Sequence, residues 1–291
     1  MVEVPAGPFM MGRDDGAADE RPAHEVVLAA FSIDRTPVTN AAFARFLDAV
    51  GPRNARGERL FDDDDRDARI RIRGGRWQAD PGFADHPVLE ASWPGARDYC
   101  AWAGKRLPTE AEWEKAARGT DARLYPWGNE PPDAKRAHFG AGWNETLPVG
   151  RHPRGASPYG ALDLAGNVWE WVSSAYRPYP FRANDGREAP DARAVRGTRG
   201  GGHDSPAAEL TATQRGRTLS RAPLAGHHNI GFRCAKQEAR GWNGPTIAGS
   251  TSLIDLLNTA SAMSSKGVGS ALTMTRRAPA RLATCTAPAI G

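Results

Sequence analysis

Two hydrophobic periods alternate along the first 235 or so residues. Near the N-terminus, "VEVPAGPFMMG" alternates apolar and polar positions as a strand does, and "HEVVLAAFSIDRTPVT" reads as strand followed by turn. A period of 3.6 takes over at Thr39, which can N-cap a helix through Val50 with Phe43, Phe46 and Leu47 on one face. Residues 51–85, with "DDDDRDARIRIRGGR", read as a solvated surface excursion, and their charge run as a loop rather than a metal site. Ser92 opens a second helix, "WPGARDYCAWAG". A third, "RLPTEAEWEKAARG", begins with a T-x-x-E capping box, Thr109 and Glu112, after Pro108 and ends at Gly119. Its buried face is expected to be Trp113, Ala116 and Ala117. Residues 121–160 are loop, and "NIGFRCA" closes the folded part as a short strand. The domain is expected to span 1–237. Beyond it, 238–291 reads as a disordered tail rich in Ser, Thr, Ala and Gly, with one short helix around Leu253–Leu257.

Composition adds a loop-rich character. The 291 residues include 32 Gly, 23 Pro and 9 Trp, and 40% are hydrophobic, enough to build a core without favouring a bundle or a regular sheet. The net charge of +4 is interleaved, without a basic helix or an aromatic–basic stripe, so no nucleic-acid partner is expected. No run of 18 apolar residues exists, so no membrane span is expected. The start of the chain lacks a basic segment followed by an apolar one, and the expected location is cytoplasmic. Three cysteines, Cys100, Cys234 and Cys285, are too few for a disulfide scaffold and lack Cys-x-x-Cys spacing.

The segment "DLAGNVWEWV" raises the first chemical question. Asp163 and Glu170 are hard oxygen donors, and Gly166 lets the backbone turn so that the carbonyls of Gly166 and Val168 face inward. Such a set suits Ca2+, which takes six to eight oxygens in flexible geometry. A tryptophan-anchored turn, with its carboxylate satisfied by backbone N–H groups, fits the same residues. The histidines form no H-E-x-x-H motif; His203-Asp204 and His227-His228 lie in one region and can meet in space. There is no G-x-S-x-G elbow and no P-loop, and "RGGG" has no convincing strand–helix context.

Seven segments in order resemble one family: "VEVPAGPFMMG", "ERPAHEVVLAAFSIDRTPVTNAAFARFL", "HPVLEASWPGARDYCAWAGKRLPTEAEWEKAARG", "YPWGN", "YGALDLAGNVWEWV", "RGGG" and "NIGFRCA". Over about residues 2–236 the chain resembles the formylglycine-generating enzymes, or sulfatase-modifying factors. The resemblance implies an α+β, irregular and loop-rich formylglycine-generating-enzyme fold, related to C-type lectins. It implies a structural calcium held by Asp163, Gly166, Val168 and Glu170, with His138 standing against a second calcium site. It implies contact between Cys100 and Cys234. A second disulfide of eukaryotic members is absent, with Ala117 and Arg215 at its positions, which suggests a bacterial-type member.

The oxidising members bind copper through two cysteines five residues apart, and soft sulfur is what selects Cu(I). The corresponding positions here are Ser205 and Leu210. Conversion of cysteine to formylglycine by the copper route is therefore not expected. Three functions stay open. One is a divergent oxidative enzyme acting on a peptide or amino-acid-derived substrate. Its candidate catalytic residues are His203, Asp204 and Ser205, and its candidate substrate contacts are Trp169, Arg217 and Arg221. Iron would have to draw on His203, Asp204, His227 or His228. The second is a non-catalytic module binding a small molecule, peptide or protein on a calcium-stabilised lectin-like scaffold. The third is an accessory partner of another protein, docking through Arg193, Arg196, Arg199, Arg215 and Arg217.

Overall fold

The computed structural model describes residues 1–182, 184–190, 193–216 and 223–237. The expected tail and the candidates Arg217 and Arg221 lie outside the described residues. Met1–Ala239 is one compact unit. It begins with four short strands, β1 (Val2–Val4), β2 (Gly7–Met11), β3 (His24–Leu28) and β4 (Phe31–Ile33). Helix α1 (Asn40–Val50) follows, capped as expected by Thr39, whose hydroxyl accepts from Ala42 N. Strands β5 (Ile70–Arg73) and β6 (Arg76–Ala79) form a hairpin. Helix α2 (Trp93–Trp102) starts at Ser92, and α3 (Glu110–Arg118) carries the full Thr109/Glu112 capping box. After a long loop come β7 (Trp169–Ala175), β8 (Arg196–Arg199), β9 (Ile230–Phe232) and β10 (Ala235–Gln237).

The strands pair in small sheets. β4 lies between β1 and β10, β2 pairs with β3, and β7 lies between antiparallel β8 and parallel β9. Aromatic packing joins α1 and α2 to this last sheet: Phe43 lies against Phe46, Phe61, Tyr99 and Phe232. Both tryptophan indoles beneath find carbonyls, Trp93 on Val172 and Trp171 on Ala91, which satisfies their N–H groups in the core.

Residues 51–85 correct the sequence reading. Leu60, Phe61, Ala68 and Ile70 are fully buried, and the hairpin turns at Gly74-Gly75, both in the left-handed region that two-residue hairpins require. The signal was present in "RIRGGRW" but hidden by its arginines. "RGGG" likewise follows a strand, β8. Helix α3 departs further from expectation, because its polar side is buried as well: Glu110, Glu114 and Lys115 are at most 1% exposed.

Those charges are paired. Glu110 meets Arg215 at 2.7 Å and Arg199 at 3.4 Å, and Glu114 meets Arg199 and accepts from Gly12 N. Lys115 donates to the carbonyls of Pro5 and Gly7, and Arg118 to those of Met10 and Gly12. Arg199 and Arg215 are thus interior ion-pair partners, not a docking surface. Arg215 stands where the resemblance placed a second disulfide, and it ties α3 by charge.

Cys100 on α2 and Cys234 after β9 form a disulfide across 134 positions of sequence. Closing so long a loop restricts the unfolded chain. Reduction, or Cys100→Ser, is expected to cost about 2–5 kcal/mol. Urea midpoints with and without reductant check this; identical midpoints would show that the bridge contributes nothing.

Candidate functional site

The loop before β7 folds through three left-handed residues, Asp163, Gly166 and Asn167. Gly166 is required: a Cβ there would sit 2.3 Å from the His138 carbonyl. The Asn167 side chain bridges to the Leu147 backbone, donating to its carbonyl and accepting from its N–H. Asp163 accepts from Gly150 N at 2.6 Å, and the Gly166 carbonyl accepts from Val168 N. Burial pushes the Asp163 carboxyl upward, against the pull of the Gly150 N–H.

Glu170 points into the core. It takes two hydrogen bonds from Arg233, at 2.6 and 2.7 Å, and one from the Trp113 indole at 2.8 Å. Arg233 also donates to the carbonyls of Leu162 and Asp163. The Glu170 carboxylate and the Leu162 and Asp163 carbonyls thus converge on one guanidinium. Of the residues assigned to calcium from the sequence, Asp163, Gly166, Val168 and Glu170, Glu170 is already answered by Arg233, while the Asp163 carboxylate and the Gly166 carbonyl accept backbone N–H groups. The Asp163–Glu170 spacing was legible, but the arginine 63 residues further on was not.

Beyond β8 the chain turns through Gly200 and Gly201, both left-handed, against Trp113 and Leu210. Ser205 Oγ accepts from Gly202 N and donates to Glu209. Leu210 is fully buried among Tyr125, Ala137 and Ala165. The two copper positions are therefore a satisfied hydroxyl and a core side chain, which do not fit copper. His203 is fully buried; its Nδ1 lies 2.9 Å from the Asn167 carbonyl and its Nε2 has no hydrogen-bond partner among the described residues. Burial lowers its pKa, so the ring is held neutral. Trp169 is 4% exposed and forms the floor beneath Gly202, which corrects its assignment as a substrate contact.

Asp204 alone of the candidate trio is partly open. His228 Nε2 lies 3.3 Å from its carboxylate, and Asn229 donates to the same group at 3.0 Å. The hydrogen bond from His228 is the main cause that holds the Asp204 carboxyl below its usual range. The adjacent histidines face different ways, His227 toward Trp171 and His228 stacked on Trp143 at 3.4 Å between ring centroids. Trp143, 59% exposed, donates its indole N–H to Asp67. Asp65, Asp67 and Glu90 then bring carboxylate oxygens within 4.8 Å of one another. Burial, together with Asp65, Asp62 and Asp67, pushes the Glu90 carboxyl up from 4.5 to about 8. Sequence reasoning missed Trp143, Asp67 and Glu90; the lone carboxylate inside the apolar run "PVLEASW" was the available signal.

The chain matches the sulfatase-modifying factor enzyme 1-like domain over residues 1–238. It is 39% identical over 243 residues to a protein named serine/threonine-protein kinase pkn1 from Chlamydia caviae, covering 81% of this chain but 38% of that one. It is 34% identical over 280 residues to the inactive C-alpha-formylglycine-generating enzyme 2 of Mus musculus, covering 82% of this chain and 86% of the relative. Among solved structures, PvdO from Pseudomonas aeruginosa superposes with a TM-score of 0.63 at 30% identity, over 81% of this chain and 93% of that one.

Two measurements test this geometry. Arg233→Met strands Glu170 in a dry core, and a loss of about 3–5 kcal/mol is expected in chemical denaturation. An unchanged midpoint that falls on adding EDTA would put a metal ion on Glu170 instead. Glu90 titrates with its folded pKa raised above the unfolded value. Its contribution to stability is therefore full below about pH 4.5 and is lost as pH rises through about 8. In chelator-treated protein, Glu90→Gln is expected to flatten the stability profile across that window. Parallel profiles for the two proteins would refute the shift.

Proposed function

The chain belongs to the sulfatase-modifying factor enzyme 1-like family, and we propose that it is a member that binds a ligand without copper chemistry. The observation carrying this reading is Leu210: a fully buried isobutyl group, packed on Tyr125, occupies the place of a required thiolate. Ser205 is engaged with Glu209 and offers no second sulfur. The face left open is Trp143, His228 and Asp204. An exposed indole beside carboxylates suits a positively charged group, which gains from the ring face as well as from the anions. The ligand class is therefore a peptide or amino-acid derivative carrying an amine.

A second reading, a divergent oxidative enzyme on the same substrate class, is favoured by the His228–Asp204 pair. A carboxylate that orients an imidazole is a common arrangement for moving a proton. Its redox partner would have to come from outside the described residues.

Copper titration with oxygen uptake separates these readings. With Cu(I) and a cysteine-containing peptide, no stoichiometric copper binding and no oxygen consumption above background are expected. Calorimetry with a lysine-containing peptide should show binding that weakens about tenfold in Trp143→Ala and disappears when the lysine is acetylated. Copper-dependent turnover would overturn the proposal. Copper-independent oxygen uptake that is lost in His228→Gln would select the second reading.

A further inference from the structure

Glu90 is a buried carboxylate that no arginine or lysine side chain meets among the described residues. It is 3% exposed, and its backbone is fixed at both ends: its N–H donates to His227 and its carbonyl accepts from Asp62 N. Among the described residues, nothing donates a hydrogen bond to its side chain. Gly226, whose added Cβ would come within 2.6 Å of Glu90 Oε2, gives its N–H to Asp62 instead.

The surrounding charges deepen the deficit. Asp62 is paired with Arg59 at 2.9 Å. Arg71 spends its donors on the carbonyls of Asp63, Asp65 and Arg66. Arg66, largely exposed, stands 3.9 Å from Asp67. None of these cations reaches Glu90, whereas Asp65 and Asp67 aim their carboxylates at it. Asn144 stands beside the cluster: its amide nitrogen donates to the Asp67 carbonyl at 3.2 Å, and its side-chain oxygen is buried without a hydrogen-bond partner among the described residues. The amide is 8% exposed, so water does not readily serve it.

We propose that Asp65, Asp67 and Glu90 form a calcium site that anchors the 62–67 loop beneath the Trp143–His228 face. The donor set is all oxygen, which selects hard cations over copper or iron. Mg2+ demands near-ideal octahedral geometry and dehydrates reluctantly, so an irregular carboxylate set drawn from a loop and a buried segment favours Ca2+. The three carboxylate oxygens lie within 4.8 Å of one another, close enough to meet a Ca2+ without closure of the loop. Asp67 links the site to the ligand face, because the same carboxylate holds the Trp143 indole. This inference is independent of the ligand proposed above and of the loop before β7.

Terbium, a luminescent stand-in for Ca2+ that tryptophan sensitises, tests it on the full chain. After chelator treatment, excitation of tryptophan should give saturable Tb3+ emission at one ion per chain, displaced by Ca2+ and hardly by Mg2+. Glu90→Gln, nearly isosteric, is expected to weaken Ca2+ at least tenfold by calorimetry, and Asp67→Asn likewise. Trp143→Phe should remove most of the emission while Ca2+ still binds. Asp163→Asn should change neither signal. Circular dichroism shows whether each variant has folded. No saturable emission, or Ca2+ affinity unchanged in both Glu90→Gln and Asp67→Asn, would overturn the site. Loss of binding in Asp163→Asn alone would also overturn it, by moving the ion to the loop before β7.

Discussion

Helix α3 can be buried only because every charge it removes from water meets a partner. An uncompensated ion in a dry interior costs several kcal/mol even after relaxation. Glu110 and Glu114 are answered by Arg199 and Arg215, while Lys115 and Arg118 are answered by carbonyls of the N-terminal strands. The requirement reaches far along the chain. Arg199 must arrive at α3 as the last residue of β8, so the glycine turn that follows, and with it His203, Asp204 and Ser205, is placed by a salt bridge. Position on the scaffold is thus inherited from charge burial rather than from strand length, since β8 has only four residues.

What could be read in advance follows from the range of each signal. Thr39, Ser92 and the Thr109/Glu112 box act within three or four residues, and all three caps stand where expected. The polar side of α3 could not be read, because Glu and Lys at helical spacing resemble a solvated face until arginines 85 and 105 residues away are known to arrive. The same holds for Glu170 and Arg233. At the site, Asp204 and His228 were found because their residue types stand out. Trp143 was passed over because an aromatic in a Gly-rich loop looks like an anchor, whereas here it is exposed and stacked. Arg217 and Arg221 fall outside the described residues.

Loss of a thiolate pair need not disturb such a scaffold. Leu210 fills its volume within an aromatic and alanine cluster, and the absent side chain of Gly201 lets the chain pass close to it. The replacement is apolar where the interior is apolar and hydroxylic where Gly202 offers an N–H, so no polar group is stranded at either position. Retaining the fold therefore carries no information about retaining the chemistry. What the fold does retain is the open edge at Asp204, because Asn229 and His228 hold it from the turn that leads into β9 rather than from the altered loop.

Glu90 and Glu170 show two solutions to one problem. Both are buried acids, yet among the described residues Glu170 meets a cation and Glu90 does not. A chain that needed only packing at residue 90 would gain by an apolar side chain, since leaving a carboxylate unpaired costs desolvation and returns nothing. Glu90 also occupies a left-handed backbone conformation, φ 61°, which non-glycine residues adopt at an energetic cost. Strain and desolvation at one residue are borne only where something compensates them. A proton compensates the desolvation but makes no use of Asp65 and Asp67. A cation uses all three carboxylates at once, and it brings a surface loop and the Trp143 wall under the control of a solute.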